Sequence, residues 1–300
     1  MESHVHLPYR RRTPMAEQGR QLMTVVLDSL TASAVLLIVI MGLTLVLGVL
    51  EVINLAHAGF MAVGVYLTYA LLRHGTGFFL ACALAGAGTA VLGLVVEFLV
   101  VRRLYRRPID TILATWGIAL VIVQIITLVA GSQDKSITVP ISGTLTILGT
   151  RYAGYQLLLV AIAAGLVAAM GLLVRFTEVG RTVRLVMSNE VMARGLGIDT
   201  TRVRQATFVV GAGLAGLGGG LIGPIESVSP QYATTLLIPA FLAVLVAGPS
   251  VSGMIIGSVV LATIETVFAT YADPTYSTVV LVLSAVVILR FAPRGLGLSR

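Results

Sequence analysis

The sequence predicts an all-α, polytopic membrane protein. The chain is 57% hydrophobic by residue count, 11% of its residues are charged, and its mean hydropathy is +0.99. A soluble globular domain carries about 25% charged residues, so this chain lacks the polar surface that a water-soluble globule needs. These values exclude a disordered chain, a coiled coil and an ordinary cytosolic enzyme.

Apolar runs free of Asp, Glu, Lys and Arg give the expected helices. A bilayer core about 30 Å thick is crossed by roughly 20 helical residues. The runs lie at 29–50, 52–72, 74–96, 111–133, 152–174, 205–225, 227–264 and 274–289. Run 227–264 is too long for one helix, and its prolines divide it into a span near 236–246 and the start of another. We therefore expect about eight or nine transmembrane helices.

The second run, near 52–72, is predicted to be broken or re-entrant. It contains Asn54, His57, Gly59 and Gly64, and irregular backbone at lipid depth is tolerated only where protein or a cavity covers it. If all of the first three runs cross the membrane, the basic residues 10–12 lie outside. If one of the three is re-entrant, they lie inside, and the sequence leaves both arrangements open.

The net charge of +7 comes from bases that cluster at the ends of apolar runs. The clusters lie at 1–20, 102–107, 175–204 and 290–300. This is the positive-inside pattern of a membrane protein, and it differs from the basic stripe with interleaved aromatics of a nucleic-acid-binding protein. We expect contact with a lipid bilayer and none with nucleic acid.

The same pattern divides the chain into three parts. A basic N-terminal tail at 1–22 precedes a single transmembrane domain at 23–295, which contains a cytoplasmic loop at 175–204. A short C-terminal tail follows at 296–300.

The glycine-rich stretch 211–223 invites comparison with a nucleotide-binding loop. A phosphate loop needs a Lys-Ser/Thr pair after its glycines, and this stretch has none. Small residues recur here every four positions, which allows two helix backbones to approach closely in lipid. We predict helix packing, with no catalytic residue, no metal site and no cofactor bound by this chain.

Polar residues inside spans are costly, so they are candidates for a substrate pathway. Asn54 and His57 are three residues apart and share one face of a helix. Together with Gly59 and Glu265 they are the predicted pathway residues. The alternative is that Asn54 and His57 bond to neighbouring helices and that Glu265 reaches the membrane surface.

The loop 175–204 contains a short amphipathic helix that begins near Ser188. The apolar side chains of this helix are Val191, Met192 and Leu196. Gly195 and Gly197 are expected to end it. Such a helix suits a groove on a partner protein or the membrane surface, and the spacing alone does not decide between them.

Three stretches carry a resemblance to a known family: 52–60 with the following Gly64 and Tyr66, 107–117, and 188–198. The sequence resembles the inner-membrane permeases of ATP-binding-cassette (ABC) importers for branched-chain amino acids, the LivH type. The apolar pattern fits over roughly 25–295.

The resemblance implies a transport subunit of the bacterial inner membrane that does not hydrolyse ATP. It would pair with a second homologous permease and be driven by two cytoplasmic ATP-binding subunits, which use ATP and Mg²⁺. A periplasmic solute-binding protein would deliver the branched-chain, hydrophobic amino acid.

The resemblance also implies that the helix of the cytoplasmic loop couples the permease to the ATPase. The coupling residues would be Ser188, Asn189, Glu190, Met192, Ala193, Leu196 and Gly197. This chain departs from the wider importer class in having Glu190-Val191-Met192 where that class has Glu-Ala-Ala.

Two other functions stay open at this point. The stretch 109–116 is also similar to urea and short-chain amide permeases of the same superfamily. A stand-alone secondary carrier would need paired acids near the membrane midplane, and the spans contain few acids.

Overall fold

The computed structural model describes residues 15–105, 107–147, 149–293 and 295–297. Its helices are α1 Met15–Leu50, α2 Ala56–Arg73, α3 Phe78–Val96, α4 Arg102–Leu104, α5 Pro108–Ala130, α6 Gly154–Phe176, α7 Glu178–Ser188, α8 Glu190–Gly195, α9 Thr200–Ile222, α10 Tyr232–Thr235, α11 Leu237–Ala247, α12 Val251–Tyr271 and α13 Ser277–Phe291. A π-helical turn, Glu97–Val101, joins α3 to α4, and a 3-10 turn, Pro274–Tyr276, precedes α13.

Among the described residues, seven helical segments are long and apolar enough to cross a membrane, which agrees with the predicted polytopic all-α fold. Two further predicted spans are not among these seven. Helix α2 has 18 residues, and α10 with α11 forms one shorter apolar segment, Tyr232–Ala247. The break predicted near 52–72 is confined to the irregular backbone at 51–55, where Glu51 has a φ of 55°. His57, Gly59 and Gly64 lie within the continuous helix α2.

Helix α9 lies at the centre of the bundle, against α1, α2 and α3. Its glycines allow these contacts. A methyl group on Gly216 would overlap with the side chain of Thr89 on α3, and one on Gly219 would overlap with the carbonyl oxygen of Met61 on α2. The small-residue pattern in 211–223 therefore serves helix packing, as predicted.

Two groups of helices show the pattern of an inverted repeat. Helix α1 packs on α11 and α12, while α9 packs on α2 and α3. Helices α1 and α9 run antiparallel, because Gly211 contacts Val46 while Gly218 contacts Ile38. Along the chain, α1 and α9 are each followed by irregular backbone, at 51–55 and at 223–231, and then by a shorter helix. Broken helices in corresponding positions are typical of transporters.

Contacts at the two ends of α1 fix its direction. The Tyr152 hydroxyl, in the segment between α5 and α6, donates to Asp28 Oδ1 over 2.9 Å, and Gly48 contacts Met187 in the loop 175–204. With that loop cytoplasmic, α1 begins at the outer face. This agrees with the arrangement in which all three of the first runs cross. The bases at 10–12 lie outside the described residues.

Two local features differ from the sequence analysis. Helix α1 begins at Met15 and so includes the last residues assigned to the tail 1–22. A β-hairpin, β1 Thr144–Ile147 paired with β2 Thr150–Ala153, lies beside the first turns of α1 and was not predicted. Of the predicted tail 296–300, Leu296 donates its backbone N–H to Val246 O over 2.7 Å, and 298–300 lie outside the described residues.

Candidate functional site

The predicted coupling segment, residues 188–197, contains the six-residue helix α8 between capping residues. Asn189 is the N-cap of α8, and its Oδ1 accepts from Met192 N over 2.9 Å. The helix ends at Gly195, and Gly197 has a φ of +83°, a conformation that favours glycine. The predicted end at these two glycines is therefore present. Ser188 is the last residue of α7, where its hydroxyl donates to Leu185 O.

One face of α8 is apolar and exposed, and we call it the docking face. Val191, Met192 and Leu196 are 82%, 59% and 66% exposed, whereas Ala193 is fully buried. A cluster of large apolar side chains exposed to water is typical of an interaction surface. Val191 belongs to this face, although the coupling residues named from the resemblance omit it.

Glu190 lies off the docking face, against α9. Its Oε1 accepts from Arg194 over 2.5 Å and its Oε2 accepts from Arg204 over 2.6 Å. Burial alone would raise the pKa of Glu190, but the hydrogen bond with Thr200 and the charges of Arg204 and Arg194 lower it below its ordinary value. Glu190 thus attaches α8 to α9.

The contacts of Arg204 continue into the membrane-spanning helices. Its guanidinium lies 5.3 Å from the centre of the Tyr105 ring, and the Tyr105 hydroxyl donates to Glu97 Oε1. Gln205 Nε2 donates to Glu97 Oε2 over 2.8 Å. A chain of polar contacts therefore connects the coupling segment to the π-helical turn that follows α3. Turns of this kind are frequent at functional sites.

Asn54 and His57, two predicted pathway residues, are buried in helix contacts. Asn54 Oδ1 accepts from Ala56 N over 3.1 Å at the start of α2. His57 Nε2 lies 2.9 Å from Val39 O on α1, and its Nδ1 has no hydrogen-bond partner among the described residues. Gly59 faces α5, and a methyl group there would lie 3.2 Å from Ala119 Cα. These contacts favour packing, and a pathway role for the three residues stays a prediction.

A hollow of about 640 Å³ lies beside the start of α2, between α2, α5 and α11. It has apolar walls that include Leu55 and Ala58, and its polar lining consists of Gln124, Gln231 and Thr234. All three polar side chains belong to exposed residues. Exposed amides on a membrane-spanning surface are costly unless protein or water covers them. We call this hollow the amide hollow.

Glu265 lines a second cavity of about 560 Å³ between α1, α6 and α12. Asp28 and Glu226 line it as well. Burial raises the pKa of Glu226, in the loop 223–231. Burial and the hydrogen bond to Asp28 raise the pKa of Tyr152, on the same cavity, to about 12. Glu265 therefore shares a cavity with Asp28 and Glu226, two acids that were not predicted, and its pathway role stays a prediction.

Sequence reasoning missed several of these residues. Gln124 stands alone as an amide in the middle of the apolar run 111–133, which is a usable signal. Gln231 follows Pro230 in a segment interpreted as a break between spans. The link from Arg204 to Glu97 joins residues too distant in sequence for any pattern to connect.

Comparisons with known proteins agree with this architecture. A family model described as "Branched-chain amino acid transport system / permease component" matches residues 25–289. The high-affinity branched-chain amino acid transport permease LivH of Escherichia coli K12 is 25% identical, with 94% of this chain and 97% of that protein covered. The permease BraD of Pseudomonas aeruginosa is 23% identical over 90% and 93%, and the permease LivM of Salmonella typhimurium is 28% identical over 74% and 58%.

Proposed function

The chain belongs to the family of permease components of branched-chain amino acid transport systems, and on that premise we propose that it imports branched-chain amino acids as one half of a permease pair. It is a multi-pass membrane protein and a transport subunit. The second half of the pair would be a homologous permease. Two cytoplasmic ATP-binding subunits would hydrolyse ATP with Mg²⁺, and a periplasmic binding protein would deliver the solute.

The docking face of α8 is the observation that carries this proposal. Three large apolar side chains stand in water beside a loop rich in bases, on a helix too short to embed in a membrane by itself. A hydrophobic groove on an ATP-binding subunit would bury them. Glu190 and Arg204 would transmit movement of α8 to α9, and the hydrogen bonds of Glu97 would transmit it to the π-helical turn after α3.

We further propose that the solute passes along the amide hollow. The second permease would cover Gln124, Gln231 and Thr234, so that these groups line a closed path instead of facing lipid. An uncharged path of amides, hydroxyls and apolar walls suits a zwitterion with an apolar side chain. The relatives reported above are all named for branched-chain amino acids, which favours that solute over urea or short-chain amides.

Uptake of labelled leucine and labelled urea, at sub-micromolar concentration, tests the function in cells with and without this chain. Loss of leucine uptake alone is expected. Loss of urea uptake alone would assign the chain to the amide permeases, and uptake that persists without ATP would indicate a secondary carrier. The variant Met192→Asp should abolish leucine uptake while the chain still reaches the membrane, because Met192 is largely exposed.

A further inference from the structure

A cleft of about 770 Å³ lies at the outer end of α2, against α5. Its walls are apolar along one to two turns of both helices: Val63, Leu67 and Ala70 on α2, with Ile125, Ile126 and Val129 on α5. It lies outside both cavities described above. The cleft is lined mainly by hydrocarbon side chains, which form the environment that an acyl chain prefers.

Basic side chains line the outer end of this cleft. Arg73 and His74 come from the end of α2, and Lys135 comes from the segment after α5. Lys135 is held in place, because its Nζ donates to Ala130 O over 2.8 Å and its backbone pairs with Val228. No carboxylate of the described residues lies within 4.0 Å of the cationic groups of Arg73 or Lys135. These bases are therefore available to an anion.

The position of these bases is unexpected. The lysines and arginines of membrane proteins are concentrated at the cytoplasmic ends of their spans. Here an arginine and a lysine from separate segments line the same apolar cleft at the outer face. Their placement has a physical reason if they bind a negatively charged group at the level of the lipid headgroups.

Two tyrosines complete the polar end of the cleft. The side chain of Tyr66 lines the cleft, and its buried hydroxyl has no hydrogen-bond partner among the described residues. Lys135 Nζ lies 5.5 Å from the centre of the Tyr69 ring. Asp134 is close enough to Tyr66 to interact with it electrostatically. One acid against two permanent cations leaves this end positively charged.

We propose that the cleft binds an anionic phospholipid of the outer leaflet, with an acyl chain between α2 and α5 and its phosphate at Arg73 and Lys135. Inorganic phosphate shares the headgroup chemistry but leaves the apolar walls empty. The proposal depends on the chain spanning a membrane and is independent of the solute that it transports.

The test uses the purified full chain in neutral detergent with phosphatidylglycerol or phosphatidylcholine added. Phosphatidylglycerol should raise the midpoint of thermal unfolding more than phosphatidylcholine, and native mass spectrometry should detect one retained phosphatidylglycerol. The double variant Arg73→Gln/Lys135→Gln should weaken phosphatidylglycerol binding roughly tenfold or more, because two bases at the headgroup level are lost. Arg151→Gln, which removes an exposed base from the same face but away from the cleft, is the matched control.

A second variant covers the case in which the double variant fails to fold. Ala70→Phe fills the apolar part of the cleft and keeps both bases, so it should also weaken lipid retention. Equal effects of the two lipids, or an equal loss in Arg151→Gln, would overturn the proposal. Full stabilisation by inorganic phosphate alone would also overturn it and would indicate a site for a small anion.

Discussion

The Tyr105 hydroxyl donates a 2.5 Å hydrogen bond to Oε1 of Glu97, a residue with no exposed surface. Gln205 satisfies the other carboxylate oxygen of Glu97 from α9. A buried carboxylate needs such partners, since leaving one unsatisfied carries a large desolvation penalty. The two hydrogen bonds of Glu97 together fix the π-helical turn Glu97–Val101 to Tyr105 and to α9.

Replacing Tyr105 with Phe should destabilise the protein by about 1.5–3 kcal/mol, the range for a hydrogen bond to a charged group. The measurement is thermal unfolding of the purified chain in detergent. Tyr276→Phe is the control, because Tyr276 is 58% exposed. If the two variants unfold at the same temperature, Tyr105 does not hold this turn. Transport by Tyr105→Phe should also fall while ATP hydrolysis by the assembled complex continues.

Charge placed on the docking face should prevent assembly with the ATP-binding subunits. We expect Val191→Asp and Met192→Asp to lose ATPase activity that co-purifies with the tagged chain from native membranes, since a buried unpaired carboxylate in an apolar groove is costly. Val179→Asp on α7 is the matched control, because Val179 is also exposed, at 64%. Normal co-purification of the two docking-face variants would remove α8 from the interface.

Glu190 should act on stability and not on docking itself. Its folded pKa lies below the ordinary value of 4.5, so its contribution is fully present above pH 4.5 and is lost as the pH falls through the folded pKa. We expect the free energy of unfolding of Glu190→Gln at pH 7 to be about 1 kcal/mol below that of wild type, the size for a partly exposed ion pair. The variant should therefore unfold at a lower temperature. That difference should shrink below pH 4.5. A difference that is constant with pH would show that the charge of Glu190 is not responsible.

The glycines that face α3 and α2 should not tolerate side chains. Gly216→Val should destabilise the chain by about 1–3 kcal/mol or prevent its accumulation, because the new atoms overlap with Thr89 and the helices cannot separate without losing contacts. Gly165→Val on α6 is the control, since nothing lies within 4 Å of a Cβ at that position. Accumulation of both variants at equal levels in the membrane, with equal unfolding temperatures, would contradict this account of the small-residue pattern.

The spans and the packing role of 211–223 could be predicted because they depend on sums over many residues. Site residues depend on single contacts between distant segments. The family resemblance placed Glu190 among the coupling residues, and in the structure its contacts with Arg194 and Arg204 turn it toward α9. A broken or re-entrant segment near 52–72 was predicted, whereas the position of the irregular backbone at 51–55 and the partners of Asn54 and His57 were not. The hairpin strands have four residues each, too few to produce a distinct alternation.

The amide hollow gives the final prediction, which concerns the path itself. Gln124→Leu and Gln231→Leu should lower leucine uptake while leaving stability nearly unchanged, because both residues are exposed and neither takes part in a side-chain hydrogen bond among the described residues. An apolar substitution removes donors and acceptors that would replace part of the hydration of a zwitterion on the path. Gln133→Leu, an exposed amide beyond the end of α5, is the control and should transport normally. Initial uptake rates measured at equal membrane levels of each variant make the comparison. If the two hollow variants transport like Gln133→Leu while His57→Ala is inactive but folded, the path follows the residues predicted from sequence and the second permease covers a different surface.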